Sequence, residues 1–260
     1  MGEFVTTEQD GHVAVVTITN PPMNQLSGAL LAELETEIDR LDVDDETRTI
    51  LLRGGGERAF VAGADIKEFP ALRGPEKDEG GSARGIQRIG HRIEAARTPF
   101  VVAIQGYCLG GGLELAMSCD VRVCADDALL GQPEVKLGLI PGGGGTQRLP
   151  RLIGPGRAAL MNLGGEFVDA STAYDWGLVE KVVPRAELDE AALAIARTFA
   201  ARSPHAIGVL RELARTTRDL PLEEGLRREA AGFQRCIESD DGLEGITAFI
   251  EKREPTFTGR

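Results

Sequence analysis

The stretch Phe100-Val101-Val102-Ala103-Ile104-Gln105-Gly106-Tyr107-Cys108-Leu109-Gly110-Gly111-Gly112-Leu113-Glu114-Leu115-Ala116-Met117-Ser118-Cys119-Asp120-Val121-Arg122-Val123-Cys124-Ala125 decides how this chain folds. Phe100 to Ile104 is a short, wholly apolar run bounded by polar residues, which reads as a buried strand. Glycines at 106, 110, 111 and 112 break the run, and a helix is expected from Gly111 to about Cys119. Val121 to Ala125 reads as the next buried strand. Two such strands separated by a helix pair in parallel, because the crossover returns the chain to the same end of the sheet.

The alternation extends outward in both directions. His12 to Thr19 is β-branched and apolar, Asn20-Pro21-Pro22 ends it, and Ser27 caps a segment whose Leu30, Leu34, Ile38 and Leu41 recur at helical spacing. Thr49 to Leu52 is another apolar run, followed by Gly54-Gly55-Gly56 and then Phe60 to Lys67. Pro70 to Ser82, rich in Gly, Pro and charge, reads as a surface loop, and Ile86, Ile89 and Ile93 mark a helix. Strands and helices alternate to about residue 185, which predicts an α/β core with largely parallel pairing. Beyond Pro184 the pattern turns helical, near Ala186 to Ala200, Pro204 to Thr217, Leu222 to Ile237 and Gly242 to Glu251.

Composition narrows the function. With 260 residues the chain has ample apolar content for a large core, and its formal charge of -12 opposes any broad contact with phosphate backbones or anionic membranes. A local anion site stays open, since a few backbone N–H groups and a lysine hold a phosphate against the global field. Cys108, Cys119, Cys124 and Cys236 lack zinc-site spacing and read as reduced, partly buried thiols. The amino-terminal residues do not form a secretory signal and no apolar run spans a bilayer, so a cytoplasmic enzyme is expected.

Two acidic residues beside glycine turns carry the chemistry. Glu114 follows Gly110-Gly111-Gly112, and Glu134 ends Gly131-Gln132-Pro133-Glu134, with Pro141-Gly142-Gly143-Gly144-Gly145 just behind. At the first turn of a helix the Gly111 N–H has no intrahelical acceptor and points along the positive end of the helix dipole, where an oxyanion would sit. Glu114 lies about one turn further on the same face. The competing interpretation makes the glycines packing devices and Glu114 a residue that favours a helix start. Paired carboxylates at one site repel, raising at least one pKa, so that one acts as acid and the other as base. The glycine run at 142–145 is no nucleotide cradle, for no Gly-Lys-Ser/Thr follows it. Neither a dinucleotide fingerprint nor a metal-ligand cluster is evident, and no cofactor is expected.

Five motifs, in order, are similar to those of the crotonase superfamily, and most closely to the enoyl-CoA hydratases. They are Ala62-Gly63-Ala64-Asp65-Ile66-Lys67, Gly106 to Ala116, Gly131-Gln132-Pro133-Glu134, Leu139 to Leu149, and Phe249-Ile250-Glu251-Lys252-Arg253. The resemblance implies a spiral of ββα units over residues 1–200 and a C-terminal helical trimerisation region over 201–260, as a homotrimer or homohexamer. It implies an acyl-CoA thioester substrate, with coenzyme A arriving as part of that substrate. By position, the N–H groups of Ala64 and Gly111 correspond to the oxyanion hole and Glu114 and Glu134 to the catalytic carboxylates. Ala62, Asp65, Ile66, Lys67 and Gly142 fall where the family binds its substrate. Asn20 to Leu26 is shorter than the lysine-containing loop common in hydratases, and Gly164-Gly165 and Trp176 stand where typical members differ; the segment around them is expected near the acyl pocket, with Trp176 itself read first as a packed helix residue.

Two rivals remain at this level. The same fold hosts double-bond isomerases and other enolate chemistries, but isomerases commonly keep one of the two acids, and both are present here. A noncatalytic or RNA-binding member is disfavoured by the acidic balance.

Overall fold

A computed structural model describes residues 2–72 and 82–259. The chain opens with an antiparallel hairpin of β1 (Val5–Asp10) and β2 (Val13–Ile18), then α1 (Gly28–Asp42), whose start is capped by Ser27 Oγ accepting from the Leu30 N–H. It then repeats one unit, a strand, a second strand and a helix. The first repeat is β3 (Thr49–Gly54), β4 (Ala59–Ala62) and α2 (Ser82–Ala95), with a 3-10 segment at Ile66–Leu72. Next come β5 (Phe100–Ile104), β6 (Tyr107–Leu109) and α3 (Gly111–Ala116). The third is β7 (Val121–Ala125), β8 (Leu129–Gly131), a 3-10 segment at Pro133–Leu137, and α4 (Gly145–Ile153). After α5 (Pro155–Gly164), β9 (Phe167–Asp169), α6 (Ala170–Trp176) and β10 (Lys181–Val183), the chain ends in α7 (Leu188–Ala200), α8 (Pro204–Thr217), α9 (Leu222–Glu238) and α10 (Asp240–Glu251).

Each repeat deals its two strands to two different sheets. One sheet has the order β1-β2-β3-β5-β7-β10 and the other β4-β6-β8-β9; pairing is parallel except between β1 and β2 and between β8 and β9. This is the expected spiral of ββα units. The apolar runs are continuous because the larger sheet is covered on both faces. In β5, Phe100, Val102 and Ile104 enter the main core, while the alternate Val101 and Ala103 face a second core built on Leu188, Ala192, Ala196 and Ala200 of α7.

Several boundaries differ from the expected ones. The helix after the glycine turn ends at Ala116, not Cys119, because the Ser118 and Cys119 N–H groups donate three residues back, tightening the chain out of the α-helix, while Ser118 Oγ donates to Glu114 O. Of the expected loop at 70–82, residues 70–72 complete a 3-10 segment and Ser82 begins α2; residues 73–81 lie outside the described residues. Gly165 ends α5 in the left-handed conformation at φ 66°, and Trp176 packs on the main core with the Arg157 guanidinium 5.7 Å from its ring.

The arrangement places the carboxyl ends of β4, β6 and β8 side by side. The Gly110 N–H donates to Gly131 O at 2.9 Å, tying the end of β6 to the end of β8. Leu26 bridges Ala64 just past β4. The start of α3 and the 3-10 segment bearing Glu134 therefore leave the smaller sheet at the same edge.

Candidate active site

At Ala64 the bridge to Leu26 is made by the neighbouring groups: the Leu26 N–H donates to Gly63 O and the Asp65 N–H to Leu26 O, both at 2.9 Å. In a parallel bridge that leaves the Ala64 N–H directed away from Leu26. Gly111 is the first residue of α3, so its N–H likewise has no intrahelical acceptor. The two amides are neighbours, since a Cβ built on Gly111 would lie 3.7 Å from the Ala64 nitrogen. The glycines around them also serve packing. Gly110 has φ 51°, and a Cβ on Gly112 would collide with the Val61 backbone. The packing role of the glycine turn is therefore met, and it leaves the two N–H groups side by side.

Glu114 is 2 % exposed, and its Oε1 accepts from the Gly143 and Gly145 N–H groups, each at 2.7 Å. Burial pushes its pKa above the usual carboxylate range, while the Gly145 and Gly143 donors and the Arg148 charge pull it back. Glu134 is the second residue of its 3-10 segment, directly after Pro133, and is half-buried. Its pKa rises to about 7, chiefly through burial, with the negative charge of Glu114 adding a smaller push and its own backbone N–H opposing. The expected repulsion between the pair is present but is the smaller effect; desolvation against apolar walls is the larger. Gln132, fully buried, reaches Glu134 with its side-chain amide: with the nitrogen toward the carboxylate, as the surrounding donors and acceptors require, it donates to Oε1 at 3.0 Å and Oε2 at 3.1 Å.

Both carboxyls open on one cleft of about 930 Å³ that is lined by Ala64 and Gly111 as well. Its walls are mostly apolar, from Ile86, Leu109, Leu137, Leu139 and Ile140, the composition of a small-molecule site. Ala62, Ile66 and Gly142 also line it. Asp65 and Lys67 do not: the Asp65 carboxylate accepts from the Lys67 N–H at 3.0 Å, bracing the turn at the cleft's edge. Gly164, Gly165 and Trp176 are likewise outside the lining, so that segment shapes α5 and the core instead of the pocket. Cys108 is fully buried and its thiol is pushed well up by burial, which removes it as a nucleophile. Among the described residues no group of three or more His, Cys, Asp or Glu is arranged to hold a metal.

Three residues of the site were not assigned from the sequence. Gln132 and Arg148 lie inside motifs quoted above, where proximity to glutamate and glycine was the available signal. Gln87, whose side-chain amide donates to Gly142 O at 2.6 Å, gives no such signal, because it lies 55 positions away and meets the glycine loop only in the fold.

Residues 8–260 match the family model described as enoyl-CoA hydratase/isomerase. The chain is 46 % identical over 251 residues to a probable enoyl-CoA hydratase of Bacillus subtilis, covering 96 % of each chain. It is 38 % identical over 253 residues to the short-chain-enoyl-CoA hydratase of Clostridium acetobutylicum, covering 96 % of this chain and 95 % of that one. Among solved structures, the enoyl-CoA hydratase of Bacillus anthracis superposes with a TM-score of 0.94 at 38 % identity, covering 99 % of this chain and 100 % of that one.

Proposed function

The chain belongs to the enoyl-CoA hydratase/isomerase family, and from that premise we propose that it is an enoyl-CoA hydratase, a hydro-lyase that adds water across the C2=C3 double bond of a trans-2-enoyl-CoA thioester to give a 3-hydroxyacyl-CoA. The observation that carries this reading is the opening of Glu114 and Glu134 on one cleft, beside the amides of Ala64 and Gly111. A thioester oxygen between those two N–H donors takes up the negative charge that develops when water attacks C3, as an enolate. Glu114, whose Oε1 accepts from the Gly143 and Gly145 N–H groups, takes the proton from the attacking water. Glu134, with a pKa near 7, carries the proton delivered to C2. An isomerase needs one acid to shuttle a single proton; two raised carboxyls facing one cavity suit the addition of water. Ala62, Ile66 and Gly142 line the path of the substrate, with Asp65 and Lys67 at its rim toward the CoA moiety. The reaction so written uses no cofactor beyond the CoA that the substrate carries.

The same reading covers the whole chain. The active site belongs to a core of residues 1–200, and residues 201–260 build a homotrimer, alone or paired into a hexamer. Support comes from apolar residues left exposed on α9 and α10, among them Phe233, Phe249 and Ile250. Nucleic acid and membrane are not partners of so acidic a chain, and no helix among the described residues is long and apolar enough to cross a bilayer. Its four free cysteines agree with the cytoplasm.

Purified protein incubated with crotonyl-CoA and longer trans-2-enoyl-CoA esters is expected to bleach the conjugated thioester absorbance without added metal or nucleotide. Absence of bleaching across all chain lengths would overturn the hydratase reading in favour of an isomerase or a noncatalytic binding role.

A further inference from the structure

Glu114 is held by the Gly143 and Gly145 N–H groups, yet those donors belong to four consecutive glycines, Gly142 to Gly145, the residues with the greatest backbone freedom. Something must hold the loop in the one shape that points two N–H groups at one oxygen. Arg148, in the first turns of α4, meets it from behind. Its Nη1 donates to Gly143 O at 3.0 Å, and its backbone N–H donates to Gly144 O at 2.8 Å. The other edge of the guanidinium forms a fork with Glu94 on α2, Nε to Oε1 at 2.7 Å and Nη2 to Oε2 at 2.9 Å. Its side chain is 13 % exposed. Two glycines admit it: a Cβ on Gly90 would stand 3.0 Å from Nη2, and one on Gly144, whose φ is 120°, would collide with Nη1. Glu94 is itself fixed, since Ile86, Ile89 and Ile93 bury the other face of α2 in the main core.

We propose that Arg148, clamped by Glu94, is a positioning residue for this site: it fixes the Gly143–Gly145 turn that presents two N–H groups to Glu114 and places a guanidinium charge behind that carboxylate. The kinetic consequences rest on the hydratase reading; the structural ones do not. Bidentate pairing gives the clamp a geometry that a lysine does not reproduce. Arg148 is also the cation that offsets the burial of Glu114. The other titratable groups on the elements packed around Glu114 are acidic, neutral or exposed. Glu134 is an acid that adds no cation, Glu94 is paired with Arg148 itself, and Cys108 of β6 is a buried thiol. Arg84, Arg88, His91 and Arg92 of α2, Arg151 of α4 and Tyr107 of β6 are exposed, and β4 contributes no titratable side chain.

The test compares Arg148→Gln, Arg148→Lys and Glu94→Gln. Arg148→Gln is expected to lower kcat by about 10- to 100-fold with KM within about threefold, and to move the acidic limb of kcat/KM to higher pH. Arg148→Lys keeps the charge and so the limb, but loses the fork and still lowers kcat. Glu94→Gln lowers kcat without moving the limb upward. Glu114 titration is also read directly from isotope-edited infrared carboxylate bands, with Glu114→Gln as the subtraction; it should shift up in pH in Arg148→Gln. An Arg148→Gln protein with a lower Tm but an unmoved limb and an unmoved carboxylate titration would overturn the proposal, leaving Arg148 a packing residue. Should Arg148→Gln not fold, an Arg148→Lys enzyme with full kcat overturns it equally. If the wild-type protein hydrates no enoyl-CoA, the hydratase reading fails while the infrared titration still decides the clamp.

Discussion

The carboxyl groups of Glu114 and Glu134 have the same intrinsic chemistry, and their surroundings separate them. Glu114 is deeper but has two backbone donors and a nearby guanidinium; Glu134 has an amide neighbour and apolar walls, and its pKa climbs to about 7. Glu114→Gln and Glu134→Gln are each expected to lose most hydratase activity, about 10²-fold or more in kcat, while affinity for a CoA ester stays within about tenfold. A full-rate variant of either would remove that residue from the mechanism. A second expectation concerns stability. Because the folded pKa of Glu134 lies above its unfolded value of 4.5, the folded state binds the extra proton, so the group favours folding at low pH and loses that contribution as pH rises through about 7. Glu134→Gln should therefore raise Tm at about pH 8 and leave it nearly unchanged at about pH 4. A Tm gain of equal size at both pH values would mean that ionisation of Glu134 is not what strains the site.

Among the elements, α3 bears the heaviest constraint. It is short, fully buried and starts against β4, so its first turn tolerates no added volume. Gly112→Ala would drive a methyl group into the Val61 backbone and is expected to cost about 1–3 kcal/mol of unfolding free energy, read as a lowered denaturation midpoint. An unchanged midpoint would show that β4 and α3 separate freely. The sequence pattern identified the long elements closely: the strands at Phe100–Ile104 and Val121–Ala125 and the helix at Pro204–Thr217 stand where periodicity put them. It did not isolate β6, β8, β9 or β10, each of three residues, because so short a run has no measurable period and owes its form to the partner strand.

At the scale of the whole molecule, large apolar side chains remain uncovered on the last two helices. Leu222, Leu226, Phe233 and Ile237 form a stripe on α9, and Phe249 on α10 is 86 % exposed. A single chain in water would gain by covering them. Light scattering is expected to give a particle of three or six chains, and the double variant Phe233→Asp, Phe249→Asp to shift it toward one. A wild-type protein that elutes as one chain at micromolar concentration would end the assembly proposal.

Local order along the chain determined the alternation of strands and helices that implies an α/β class with parallel pairing, the placement of glycines beside two glutamates and the capped start of α1, since each is written in residues near in sequence. The convergence of those pieces was decided by the fold. Residues 64, 111, 114 and 134 line one cleft because three repeats of the same unit stack their strand ends at one edge. The order of the two pKa-raising effects on Glu134, and the hold of Glu94 and Arg148 on the loop behind Glu114, likewise follow from tertiary packing. Burial and directed hydrogen bonds between segments some 50 residues apart exist only once the core has closed, and spacing along a chain carries no record of them.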